Sequence, residues 1–205
     1  MSLKLFKIIL LLIIMIKNAT DLYNSNKQWY DWLPERKYMI MNFLPNCEGR
    51  TLNVGVHEFN KNDELACKHP DLYETIDIDD RCKNFGSKHK HYTVDFLDHN
   101  PGYKYDNILL FGVLGIWDGC GGYNYTLEKK EHILMENIDR LLNVKGRVLL
   151  GPDVNPQSGA GENSYSTQNF WTNYIKTNTI IKEKYKIKEF FKGRSNLIIV
   201  LEKQN

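Results

Sequence analysis

Beyond residue 50 the hydrophobic positions fall in short runs separated by polar turns. Thr51–Val56, Tyr73–Ile78, His91–Val94, Tyr105–Phe111 and Arg147–Leu150 have the length and side chains of strands. Tyr105–Phe111 is apolar enough to be central. Between the runs the period changes. Asn60–Lys68 fits a short helix. In Leu127–Leu142, the residues Leu127, Leu134, Ile138, Leu141 and Leu142 line one helical face. Phe170, Trp171, Tyr174 and Ile175 mark a further helix. Upstream, Glu35–Leu44 reads as a packed helix stopped by Pro45. Two last strands, Lys184–Phe191 and Asn196–Leu201, are joined by a hairpin-length turn. Alternation of strands and helices predicts an α/β domain with a mostly parallel sheet. The closing pair is predicted antiparallel, because its connection is too short for a crossover.

Residues 8–16 break this pattern with nine unbroken apolar residues, flanked by Lys4, Lys7 and Lys17. The run falls short of the ~20 residues of a membrane-spanning helix. It matches a signal peptide or an interfacial anchor better, with membrane association through residues 3–16. The expected division is therefore a leader over 1–17, an N-terminal helical or lid segment over 18–49 and an α/β domain over 50–205. The aromatic group Trp29–Trp32 in that segment is open to two readings, a lid or packing on the core. The leader favours membrane-associated or secretory placement over the cytoplasm.

Charge sharpens that division. The 205 residues carry 27 basic and 25 acidic side chains. Without Lys4, Lys7 and Lys17 the remainder has 24 basic against 25 acidic, so the domain has no broad basic field. That argues against nucleic acid as a partner. Lys182, Lys184, Lys186 and Lys188 alternate, and a strand would place them on one solvent-facing side. Four cysteines show no C-x-x-C spacing, and no H-x-x-x-H is present, so no metal site is expected. Cys47 and Cys67 are available to pair if the chain is secreted, and spacing leaves that open.

Chemistry is expected where strands end, since ligands of open α/β sheets sit beyond the strands' carboxyl ends. Leu52-Asn-Val-Gly-Val-His-Glu-Phe runs from a strand into a glycine turn at Gly55. Asp77 ends the next strand, where an acid is placed to accept hydrogen bonds from a ribose diol. Asp95 ends the third, where it would face a base's amino group. A missing G-x-G-x-x-G and the antiparallel ending disfavour a nicotinamide-dependent oxidoreductase.

Over roughly residues 50–201 the chain resembles the class I S-adenosylmethionine-dependent methyltransferases. Asn53-Val-Gly-Val-His-Glu-Phe resembles their glycine-rich first motif and Thr75-Ile-Asp-Ile-Asp the second. Val94-Asp-Phe-Leu resembles the adenine-contacting segment, and Tyr105–Leu114 the fourth-strand motif. Asn137–Leu150 is similar to their helix, turn and fifth strand. The resemblance implies a Rossmann-like three-layer sandwich, a mostly parallel seven-stranded sheet with an antiparallel C-terminal strand pair. It implies S-adenosylmethionine as cofactor, held by Gly55, Val56, His57, Asp77, Ile78, Asp95 and Phe96. It implies methyl transfer to a small-molecule or protein acceptor. The chain departs from the family at Asn53, where an acid is usual, and at His57 and Phe59, where glycines are usual. One of two usual glycines is missing near Lys145-Gly146. These departures admit an alternative, an inactive methyltransferase-fold domain acting as a tethered or secreted interaction module. His57, Asp118 and Asp153 are candidates for proton removal, and Trp117, Asp118 and Tyr123 for lining an acceptor site.

Overall fold

The computed structural model describes residues 34–56, 60–114, 131–152, 168–192 and 197–204. The apolar run of residues 8–16, the Trp29–Trp32 group and the Trp117–Tyr123 stretch lie outside them. Among the described residues no helix is long and apolar enough to cross a membrane.

Seven strands form one sheet: β1 (Thr51–Val54), β2 (Tyr73–Asp77), β3 (Lys90–Thr93), β4 (Tyr105–Phe111), β5 (Leu142–Gly151), β6 (Tyr185–Lys192) and β7 (Leu197–Lys203). Their spatial order is β3-β2-β1-β4-β5-β7-β6. The strands from β3 through β5 run parallel, whereas β7 is antiparallel to both β5 and β6. This is the expected mostly parallel sheet with an antiparallel end. Order reverses between β1 and β4, which makes the carboxyl end of β1 the topological switch point.

Alternation along the strands divides the core into two faces. Leu52, Val54, Ile108, Leu110, Val148, Leu150, Ile199 and Leu201 face one side. There they meet Leu134, Met135 and Ile138 of α3 (Glu131–Leu141), Trp171 and Ile175 of α4 (Gln168–Thr177) and Ile181 of α5 (Thr179–Lys184). Leu109, Leu149, Ile198 and Val200 face the other side. There they meet Met39, Ile40, Phe43 and Leu44 of the N-terminal segment, with Ala66 of α2 (Asn60–Ala66). Helix, sheet and helix make three layers.

Three local expectations need correction. Glu35–Leu44 is not one regular helix. After α1 (Pro34–Tyr38) the chain widens over Met39–Phe43, where Leu44 N–H bonds to Met39 C=O, then tightens over Leu44–Asn46. Pro45 has no N–H to continue an α-helical ladder, so the end is rewound. β5 begins at Leu142, five residues before the predicted start. Its first part is irregular, with Lys145 at φ 63° and a register shift opposite Tyr105/Asn107. Gly146 fits there because a Cβ would lie 2.7 Å from Asn143 C=O.

The alternating lysines do not share a strand face. Asn178 caps α5 by accepting from Ile181 N–H at 3.0 Å, and Ile181 is buried. Lys182 and Lys184 are therefore helical, and Lys184 donates to Asp139 at 2.7 Å.

Candidate active site

The described part of the site lies at the carboxyl ends of β1, β2 and β3. Gly55 leaves β1 at φ 78°, and its N–H bonds to Ile76 C=O at 2.9 Å. A Cβ at Gly55 would stand 3.0 Å from Val113 Cγ1, just past β4. Conformation and space both require glycine at this turn. The next N–H, that of Val56, donates to Asp77 Oδ2 at 2.8 Å. Asp77 Oδ1 accepts from Asp79 N–H, also at 2.8 Å. The Asp77 carboxylate is thus fixed by two backbone donors, one on each oxygen. Each oxygen keeps acceptor capacity for a further donor.

Ile78 follows Asp77 and is 39% exposed, so its apolar side chain stands in solvent. Cys82, in the helical turn Asp80–Phe85, also reaches Asp77 with its thiol. Burial, then the negative charges of Asp77 and Asp79, push that thiol up from its ordinary range. At the third strand end, Asp95 Oδ1 accepts from Leu97 N–H at 2.9 Å and caps the turn Phe96–Asp98. The ring of Phe96 is buried in the core, and its C=O accepts from Asn137 Nδ2 at 2.7 Å. What Phe96 offers toward a ligand is backbone.

Asn53, where the family usually has an acid, is buried and donates from Nδ2 to Asn60 Oδ1 at 3.0 Å. Asn60 also accepts from the Tyr73 hydroxyl at 3.1 Å and donates to Phe85 C=O at 2.8 Å. One side chain at the head of α2 therefore ties β1, β2 and the turn after β2. An acid at position 53 could not make this donation. The structure thus brings together Gly55, Val56, Asp77 and Ile78, with Asp95 and Phe96 on the neighbouring strand end. His57, Phe59, Asp118 and Asp153 lie outside the described residues. Val113, Asn60 and Cys82 were not foreseen. Each reaches the site through contacts that a local reading of the motif does not contain.

Among the described residues, no group of three or more His, Cys, Asp or Glu side chains could hold a metal ion. No family model and no curated protein sequence matches the chain. Solved structures do match. The N-methyltransferase NodS from Bradyrhizobium japonicum WM9 aligns at TM-score 0.60 and 16% identity, over 84% of this chain and 96% of NodS. A methyltransferase from Bacteroides fragilis in complex with S-adenosyl-L-homocysteine aligns at TM-score 0.52 and 16% identity, over 82% of this chain and 77% of that one. The 16S rRNA methyltransferase RmtF, also with S-adenosyl-L-homocysteine, aligns at TM-score 0.52 and 13% identity, over 90% and 65%. With the strand order, the antiparallel ending and the Gly55–Asp77 junction, these likenesses establish the fold: the chain has the architecture of the S-adenosylmethionine-dependent methyltransferases.

Proposed function

We propose that the protein is an S-adenosylmethionine-dependent methyltransferase whose cofactor is held at the carboxyl ends of β1, β2 and β3. The observation that carries this reading is the Gly55–Asp77 junction. There a left-handed glycine brings the backbone beside a carboxylate that two N–H groups hold in place. The residues fit the cofactor's parts. Asp77 accepts from the ribose diol, and Ile78 supports the flat face of the adenine. Asp95 and the backbone at Phe96 meet the adenine's edge. Gly55, Val56 and His57 border the methionine portion.

When bound, the cofactor supplies a methyl group on a positively charged sulfur, ready for transfer to a nucleophile. The chain's tasks are to orient the acceptor and, where the acceptor carries a proton, to remove it. His57, Asp118 and Asp153 are the candidates for that removal. The near-neutral charge of the domain favours a small-molecule or protein acceptor over nucleic acid. Similar folds named as 16S rRNA methyltransferases make RNA the competing outcome. The basic-flanked apolar run of residues 8–16 supports a signal or membrane-anchor role, tested by fractionating the tagged full-length chain after glycosidase treatment.

The test of the activity is transfer of labelled methyl from S-adenosylmethionine by the full-length chain into small-molecule, protein and RNA fractions. Label in one fraction, absent with Asp77→Ala, supports the reading. Absence of transfer together with absence of S-adenosylhomocysteine binding removes it.

A further inference from the structure

On the far side of β1 from the large helices, two thiols meet in the core. Cys47 closes the Leu44–Asn46 turn, and Cys67 directly follows α2. Their exposures are 0% and 2%. The backbone sets their approach, because Leu44 C=O accepts from both Cys47 N–H and Lys68 N–H, each at 3.1 Å. The two side chains lie in one buried cluster with Phe43, Leu44 and Tyr73. Cys67 Sγ lies 3.7 Å from Thr51 Oγ1, and Cys47 Sγ donates to Phe43 C=O at 3.4 Å. Both thiols are unbridged in this structure.

We propose that Cys47 and Cys67 form a disulfide site that fastens the N-terminal helical segment to the end of α2. The loop it closes contains β1 and the Gly55 turn. The proposal stands independently of methyl transfer. Two elements that meet only through the fold carry both thiols into one core cluster, and the shared Leu44 C=O holds their backbones at the close approach a bridge needs.

The chemistry balances with a low-molecular-weight disulfide, such as glutathione disulfide, as oxidant. Cys67 is the attacking thiolate. The neighbouring Cys47 thiol lowers it most, against burial, with help from the backbone at His69 and Lys68. Burial pushes the Cys47 thiol up. Cys67 attacks one sulfur of glutathione disulfide, giving a mixed disulfide and one glutathione, which takes up the proton. Cys47, losing its proton to solvent or buffer, then attacks the Cys67 sulfur and expels the second glutathione. Two protein thiols are oxidised by two electrons, and one glutathione disulfide is reduced to two thiols. Both sulfurs are shut from solvent, so exchange proceeds during folding or when the Leu44–Cys47 turn opens.

The test refolds the full-length chain in glutathione buffers of graded oxidising strength, blocks free thiols by alkylation, and maps disulfide-linked peptides by mass spectrometry. The expected product joins the Cys47 and Cys67 peptides, leaves Cys82 and Cys120 alkylated, and raises Tm by about 6–12 °C over the reduced protein. Cys47→Ala and Cys67→Ala each abolish the linked peptide, while the wild-type map stands without them. The proposal is overturned if both cysteines remain alkylated in the folded protein while the urea-unfolded chain forms bridges in the same buffer. A predominant bridge from either residue to Cys82 or Cys120 overturns it as well.

Discussion

Replacing Glu74 by glutamine removes a charge on which four donors converge while keeping the side chain's shape. Glu74 lies in β2 at the amino ends of the strands, three residues before Asp77, and is 3% exposed. Its Oε2 accepts from the hydroxyls of Tyr103 at 2.8 Å, Tyr105 at 3.0 Å and Tyr92 at 3.1 Å, and its Oε1 from Arg50. Burial raises the carboxyl's pKa, but the bonds from Tyr103, Tyr105, Arg50 and Tyr92 outweigh it, and the net direction is down. A hydrogen bond to a charged group contributes ~1.5–3 kcal/mol. The amide keeps one acceptor oxygen and turns the other into a donor, so about two bonds are lost. Arg50 is 35% exposed, and its share is discounted for screening. The expected loss is about 3 kcal/mol, or a Tm fall of about 6–12 °C. Urea denaturation at pH 7 followed by tryptophan fluorescence measures it. In a double-mutant cycle with Tyr105→Phe the two losses should be less than additive. A Glu74→Gln protein within 0.5 kcal/mol of the parent, about the spread of an ordinary surface change, refutes the reasoning.

Other consequences follow from named groups. His99 is 3% exposed, its Nε2 is 2.9 Å from the Tyr105 hydroxyl, and burial lowers its pKa from 6.5 to about 4. The unfolded chain therefore binds a proton between pH 6.5 and 4 that the native chain refuses, and stability falls as pH falls, by up to about 3 kcal/mol. Glu74 adds a second loss lower down, as pH drops through its depressed folded pKa. Denaturation midpoints at stepped pH should show both, and His99→Gln should flatten the upper window; an unchanged slope there contradicts the assignment. Lys145 holds φ 63°, so Lys145→Gly should be stabilising by up to about 1 kcal/mol, and a Tm drop would argue against strain at this bulge. Gly55→Ala meets both a left-handed backbone and Val113, and should destabilise by about 1–3 kcal/mol while weakening cofactor binding; a variant with parental Tm and affinity would mean the turn tolerates a side chain.

The strands and the antiparallel ending were legible because each buried run is bounded by polar turn residues, and because the final connection admits no crossover. The Gly55–Asp77 pair was legible because each stands at a strand end. What stayed hidden depends on distant partners. Nothing near Glu74 announces that Arg50, Tyr92, Tyr103 and Tyr105 gather on it, since they come from three separate segments, the entries to β1 and β4 and the strand β3. The lysine alternation misled because its period matches a strand by coincidence. The Asn178 cap and the burial of Ile181 decide for helix through Lys184. Val113 behind Gly55 and Asn60 beneath Asn53 likewise belong to the tertiary arrangement.

The most direct measurement pairs the two ends of β2. Calorimetric titration of S-adenosylhomocysteine into the full-length protein, Asp77→Asn and Glu74→Gln separates the cofactor end from the structural end of one strand. Loss of a charged acceptor for ribose hydroxyls should weaken binding about 10–100-fold in Asp77→Asn. Glu74→Gln, less stable but remote, should keep the parental Kd at a temperature where it is folded. Equal affinity of all three proteins, or no binding by the parent at millimolar ligand, would contradict a cofactor site at the Gly55–Asp77 junction.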